Sequence, residues 1–264
     1  MFHLNYYYFN KAVNDCKDLL SRNKYYTLDD LNQAEKIAIE LSTAIINGKK
    51  LNKPLLKRGN HKLEKNIIIW DLPSGITCAC NCTGCYAVKS ERYRGAVRIM
   101  RLYHLIMLKY AEYNEDFKIS LLQYMGNELE KHYEYCTKKK IIPICRIHSS
   151  GDIYNGWYKI FLLDLATNNP KIKFYTYTKQ LGNDTINIIN SNYSNFNMVK
   201  SLIDINGKKF INYGDMQYIN KIASALKQDN QPCKICSYGI DPSITCGYNC
   251  TACLNCPNVL FKKH

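Results

Sequence analysis

Cys78, Cys82 and Cys85 stand three and two residues apart, a spacing that lets successive thiolates turn inward on one ion or cluster instead of pairing as disulfides. Three such ligands can hold three irons of a [4Fe–4S] cluster and leave the fourth iron open for a cofactor or substrate. Cys80 lies inside the same tract and makes a structural zinc ion the alternative occupant. A second tract carries Cys246, Cys250, Cys253 and Cys256, with Cys233 and Cys236 just upstream. Four thiolates saturate a zinc ion or a second [4Fe–4S] cluster, so this site reads as closed, with either Cys236 or Cys246 joining the last three. Cys16, Cys136 and Cys145 stand alone in apolar patterns and are expected in the core. An odd total of thirteen cysteines, and no N-terminal segment ordered like a signal peptide, point to a reducing cytoplasm.

Elements must hold these tracts in place, and the sequence supplies them. Thr27 followed by Asp30 has the form of an N-terminal cap, and Ile37, Leu41, Ala44 and Ile45 recur at helical spacing before Gly48, so a helix is expected over Leu28–Asn47. A lysine-rich connector, Lys49 to Lys65, leads to Asn66–Trp70, which reads as a buried strand closed by Pro73 and Gly75. The first cysteine tract hangs in the loop after that strand. A helix over Tyr93–Glu112 follows, with Ala96, Ile99, Tyr103, Ile106 and Tyr110 as its inner stripe and Arg94, Arg98 and Arg101 on another face. A further helix, Ile119–Lys138, precedes a strand over Ile141–His148. Ser149–Asp152 then turns into a helix with Tyr154, Trp157 or Tyr158, Phe161 and Leu165 inside. Strand Lys173–Lys179, a short helix Asp184–Ile189 and strand Phe196–Ile203 repeat the theme. Alternating strands and helices predict an α/β fold with parallel strands, a partial or full (β/α) barrel. The expected organisation is a helical region over 1–54, the barrel-like core over 55–225 and a cysteine-rich module over 226–264.

In such folds chemistry gathers at the carboxyl ends of strands, and three candidate motifs fall there. The cysteine loop follows Trp70, Ser150-Gly151-Asp152 follows His148, and Thr178-Lys179 closes the strand from Lys173. The pattern Cys78-x3-Cys82-x2-Cys85 resembles that of radical S-adenosylmethionine enzymes, which implies reductive cleavage of S-adenosylmethionine and an electron donor as partner. Here Gly84 precedes the last cysteine and Tyr86 follows it, and no Gly-Gly-Glu type motif is present. Ser150, Gly151 and Asp152 are the expected cofactor-facing residues, with Lys179 and Tyr86 beside them. Asp152 has an alternative role as the cap of the helix that follows, and His148 reads as a packed strand histidine.

Gly59-Asn60-His61-Lys62, the loop ending Cys85-Tyr86-Ala87, Arg146-Ile-His148-Ser-Ser-Gly151-Asp152 and Phe174-Tyr-Thr-Tyr-Thr-Lys179 together resemble the phage gene product eighty-eight family, in order, over roughly Leu55 to Cys256. That resemblance implies an iron–sulfur protein of a phage or mobile element with a barrel-like core, and it names no substrate.

Across 264 residues the formal net charge is +14, which favours polyanions. A nucleic acid or nucleotide is therefore the first expected partner, with Arg94, Arg98 and Arg101 as its contact stripe. A non-catalytic nucleic-acid-binding protein, stabilised by zinc or a cluster, is the rival reading. No apolar run approaches the ~18 residues that span a bilayer, so no membrane partner is expected.

Overall fold

The computed structural model describes residues 3–58, 65–78 and 85–201, together with the backbone of two short strands, Lys234–Ile235 and Asn258–Leu260. The chain forms two compact units, each assembled from separate stretches. The first takes Met1–Leu56, Trp70–Lys131 and His148–Asn169, and the second takes Lys57–Ile69, His132–Ile147 and Pro170–His264.

The second unit is built on the sheet. Its strands are β1 (Lys57–Arg58), β2 (Ile67–Trp70, whose last residue belongs to the first unit), β3 (Ile144–Ile147), β4 (Lys173–Thr178), β5 (Phe196–Ser201), β6 (Lys234–Ile235) and β7 (Asn258–Leu260). They are ordered β1-β2-β3-β4-β5-β7-β6. β1 runs antiparallel to β2, whereas β3, β4, β5 and β7 pair in parallel. Two bonds four residues apart on both strands, Ile144 N to Asn66 O (3.0 Å) and His148 N to Trp70 O (2.8 Å), make β2 and β3 parallel too. Ile-Ile-Ile-Trp is buried along its whole length, as a strand of a covered parallel sheet must be. Ile67, Ile144 and Tyr175 form its core, with Tyr177 against them. The sheet is thus α/β, with strands β2 to β5 neighbours in chain order. Among the described residues no pairing closes it into a barrel.

The first unit is helical: α1 (Tyr6–Leu19), α2 (Leu28–Ile46), α3 (Tyr86–Tyr93), α4 (Gly95–Tyr113), most of α5 (Glu115–Lys138) and α6 (Gly156–Thr167). A last helix, α7 (Asn183–Asn192), belongs to the second unit and packs on β5. Thr27 and Asp30 form a complete capping box at the start of α2, worth about 1 kcal/mol. Helix α4 is buried all round from His104 to Leu108, which makes it the central helix of this unit, with α1 and α2 against it. Of the expected stripe Ile106 and Tyr110 are inside and Ile99 and Tyr103 half-buried, whereas Ala96 is exposed and Met100, Leu102 and Leu105 are buried as well.

Cys16, Cys136 and Cys145 are fully buried, as expected, and burial pushes the Cys16 and Cys145 thiols well above their ordinary range. Among the described residues no helix is long and apolar enough to cross a membrane.

Candidate functional site

The chain leaves β2 at Trp70 and β3 at Ile147, and the two outgoing loops are tied together. Leu72 N donates to Ser150 O (3.0 Å). The Asp71 carboxylate accepts from Ser149 N (2.7 Å) and Ser150 N (3.0 Å), and the Ser149 hydroxyl lies 2.7 Å from each of its oxygens. Gly151, at φ +86°, makes the approach possible: a Cβ there would fall 2.7 Å from Leu72 Cβ and 2.8 Å from Thr77 Oγ1. Asp152 is buried as well. Its carboxylate accepts from Ile153 N (2.7 Å), while its own N–H donates to Thr77 Oγ1 (3.3 Å).

Behind these loops stands Glu91 of α3, a carboxylate with 0% exposure. It accepts from Tyr26 Oη (2.7 Å), Asn23 Nδ2 (3.1 Å), Ser74 N (3.0 Å), the Ser74 hydroxyl, Arg101 Nη1 (2.7 Å) and Ser150 Oγ (3.4 Å). A buried charge is tolerated only when paired and hydrogen-bonded this fully. Burial and the nearby carboxylate drive the Tyr26 hydroxyl well above its usual pKa, so it remains a donor. Burial works against the Arg101 guanidinium, yet Asp71 and Glu91 outweigh it and hold its pKa up.

Glu91 therefore grips both flanks of the first cysteine loop, through Ser74 on the chain running into it and through α3 on the chain leaving it. Cys78 and Cys85 are half-buried at its two ends. Cys80 and Cys82 lie outside the described residues, as do Cys233, Cys236, Cys246, Cys250, Cys253, Cys256 and the Gly59–Lys62 motif. Among the described residues no group of three His, Cys, Asp or Glu side chains is arranged to hold a metal. Cys78 and Cys85 are thiols at the two ends of the braced loop, donors of the kind that bind soft metal ions when deprotonated.

The expected site residues fall in several places. Ser150 and Gly151 serve the clamp: the serine hydroxyl points to Glu91, and the space a Gly151 Cβ would need holds Leu72 and Thr77. Asp152 is no helix cap either, because α6 begins later and Asn155 Oδ1 caps it, accepting from Tyr158 N (2.8 Å). The arginines do not form a surface stripe. Arg94 is exposed, but Arg98 makes a two-pronged pair with Asp30 (2.8 and 3.1 Å), and Arg101 is buried on Glu91. Lys179 is half-buried just past β4 in the second unit, whereas Tyr86 is the first residue of α3. His148 adopts φ +65° and its Nε2 lies 2.8 Å from Tyr158 Oη, which also accepts from Trp70 Nε1 (3.1 Å). Trp70 stacks on His104 at 4.0 Å. Glu91 itself carries no sequence signal beyond a lone acid in a polar octapeptide.

Fold and site together define an α/β protein with a thiol-bearing loop, braced on both flanks, leaving a parallel strand. The chain belongs to the phage Gene product 88 family, whose model matches residues 49–258. Neither the curated proteins nor the solved structures compared with it contain a match.

Proposed function

We propose that this chain is an iron–sulfur protein of radical S-adenosylmethionine type, with Cys78, Cys82 and Cys85 as ligands of a [4Fe–4S] cluster. One observation supports it most: the cysteine loop leaves a parallel strand and is braced on both flanks by one buried carboxylate, Glu91. When bound, such a cluster supplies the electron for reductive cleavage of S-adenosylmethionine. The protein's own part is mechanical and electrostatic. Ser74 and α3 fix the spacing of the loop's ends, half-burial of Cys78 and Cys85 limits solvent, and the serine loop after β3 keeps the clamp closed. The chain-order sequence β2-β3-β4-β5 is that of an arc of (β/α) barrel, the finer fold in this reading. A second cluster or zinc at the C-terminal cysteines, a cytoplasmic electron donor, and a nucleic acid or nucleotide substrate drawn by the +14 charge complete it.

The test is metal analysis after anaerobic purification, followed by spectroscopy. Iron and sulfide should be present, Cys82→Ser and Cys85→Ser should remove one cluster's worth, and S-adenosylmethionine should perturb the paramagnetic signal of the reduced protein. Stoichiometric zinc without iron, even after reconstitution, refutes the reading. A second reading, a non-catalytic zinc- or cluster-stabilised nucleic-acid-binding protein, is favoured by the engagement of the Ser150 and Asp152 side chains within the fold. In that case the paramagnetic signal, if any, is indifferent to S-adenosylmethionine.

A further inference from the structure

The positive charge of the chain is concentrated in one unit. The first unit carries seventeen lysines and arginines against fifteen carboxylates, whereas the second, up to Ser201, carries twelve against three. Six of the twelve stand at the rim where the parallel strands begin: Lys65 before β2, Lys138, Lys139 and Lys140 between α5 and β3, and Lys171 and Lys173 at the start of β4, all exposed. Hydrogen bonds hold these segments side by side, from Asn66 Nδ2 to Ile142 O (2.8 Å) and from Lys173 N to Pro143 O (3.0 Å). The balance does not cancel. Glu64 and Glu134 are the acids beside them along the chain, and Asp164, the next, already faces Lys118 at 3.6 Å, so four of the six charges are surplus. Among the described residues no carboxylate lies within ion-pair distance of Lys65, Lys138, Lys139, Lys140 or Lys173. The dipole at the end of α5 accounts for only about half a charge.

We propose that this rim binds the phosphate backbone of a nucleic-acid duplex, independently of sequence. From β2 to β4 the strand ends span about 10 Å, a length over which a duplex presents about six phosphates. Lysines are compact point charges that suit phosphate and lack the planar fork that reads base edges. Single strands are held on exposed rings where bases stack. Here Tyr133 and Tyr135 are half-buried, with Lys171 and Arg58 over their rings at 4.7 and 4.1 Å. Protein interfaces are depleted in lysine, and a membrane-inserting surface needs a continuous apolar face, whereas the rim offers only Ile141 and Ile142, 38% and 51% exposed. The contact rests on the nucleic-acid part of the proposed function, not on its iron–sulfur part, and it lies at the end of β2 opposite the one that leads to Cys78.

Fluorescence anisotropy of the full chain with short labelled DNA and RNA duplexes, across a salt series, tests this, and the tighter of the two duplexes identifies the source of the backbone. At physiological salt the Kd should be about 1–100 µM, and log affinity should fall with log salt at a slope of about −4. Lys138→Gln, Lys139→Gln and Lys140→Asn together, the last because Lys140 sits at φ +55°, should flatten that slope by about 2–3 and weaken binding by about tenfold or more. Removing three exposed charges from the helical unit, Lys17→Gln, Lys36→Gln and Lys53→Gln, should change the slope by less than about 0.5. Metal content should be the same in all three proteins, which separates a failed rim from a failed cluster. No duplex binding by the wild type, equal slopes in the wild type and the rim variant, equal flattening in the two triple variants, or tighter binding of single strands or of phosphatidylserine vesicles overturns the proposal.

Discussion

Replacing Glu91 by Gln keeps the side chain's shape and removes its charge, which isolates what the buried carboxylate contributes. Oε1 accepts from Tyr26, Ser74 N, Arg101 and Ser150, and Oε2 from Asn23 and the Ser74 hydroxyl. With the amide oxygen in the first position, the new NH₂ faces the Asn23 amide nitrogen. That nitrogen cannot be flipped away cheaply, because it also donates to Ser74 O (2.8 Å) while Asn23 Oδ1 holds Tyr25 N. Arg101 meanwhile loses its close counter-charge and keeps only Asp71 at 3.8 Å. Breaking one side of a buried ion pair costs about 3–5 kcal/mol. With a urea m-value of about 3 kcal/mol/M, the midpoint should fall by about 1–1.7 M. Both tryptophans, Trp70 and Trp157, belong to the helical unit, so their fluorescence follows its unfolding. Arg101→Met added to Glu91→Gln should recover part of the loss, because it removes the stranded charge. A midpoint shift under about 0.3 M, equivalent to the worth of a surface pair, would refute the buried-clamp reasoning.

Gly151→Ala forces a Cβ to 2.7 Å from Leu72 at φ +86°, and should cost about 3 kcal/mol or more, read as a lower urea midpoint. If the clamp braces the cysteine loop, the same variant should also retain less metal after dialysis at temperatures where it remains folded. Arg98→Ala and Arg101→Ala should lower the melting temperature yet leave the salt dependence of any nucleic-acid affinity unchanged, since both guanidiniums face internal carboxylates; an anisotropy salt series checks this. His132 is buried, and that burial holds its pKa below the ordinary 6.5 despite its bond to Asn66 O. The unfolded chain thus binds the proton more readily, so this histidine's contribution is complete above the unfolded pKa. It is lost as pH falls below that value, with a slope of up to about 1.4 kcal/mol per pH unit. Urea midpoints from pH 7.5 to 5 should show a shallower loss in His132→Gln than in wild type.

Local chemistry was legible in the sequence wherever a residue and its partner lie close together along the chain. Thr27 and Asp30 satisfy each other three residues apart, and the α2 cap is as expected. The apolar runs of β2 and β4 likewise announce buried strands. The start of α6 was not legible, because Asp152 and Asn155 are both competent caps, and only the fold shows that Asp152 is occupied by Ile153 N and Thr77. Periodicity put Arg98 and Arg101 on a shared face but could not say what that face meets; their partners Asp30 and Glu91 come from other elements. Helix α3 was missed because its octapeptide is largely polar, and its one deeply buried acid takes its five partner residues from four separate stretches of the chain.

The clamp around Glu91 also has a timetable. Its donors Asn23, Tyr26 and Ser74 precede it in synthesis, Arg101 follows within ten residues, and Ser150 comes 59 residues later. At a translation rate of about 5–20 residues per second, the last donor arrives roughly 3–12 s after the carboxylate. During that interval the cysteines at positions 78 to 85 are already made, while the loop from β3 that closes behind them is not. Loading of an ion or cluster on the nascent chain would therefore meet an unbraced loop, and loading after release a braced one. Ribosome-bound chains stalled before and after Ser150 differ in the step that matters, the moment the thiols acquire a fixed frame.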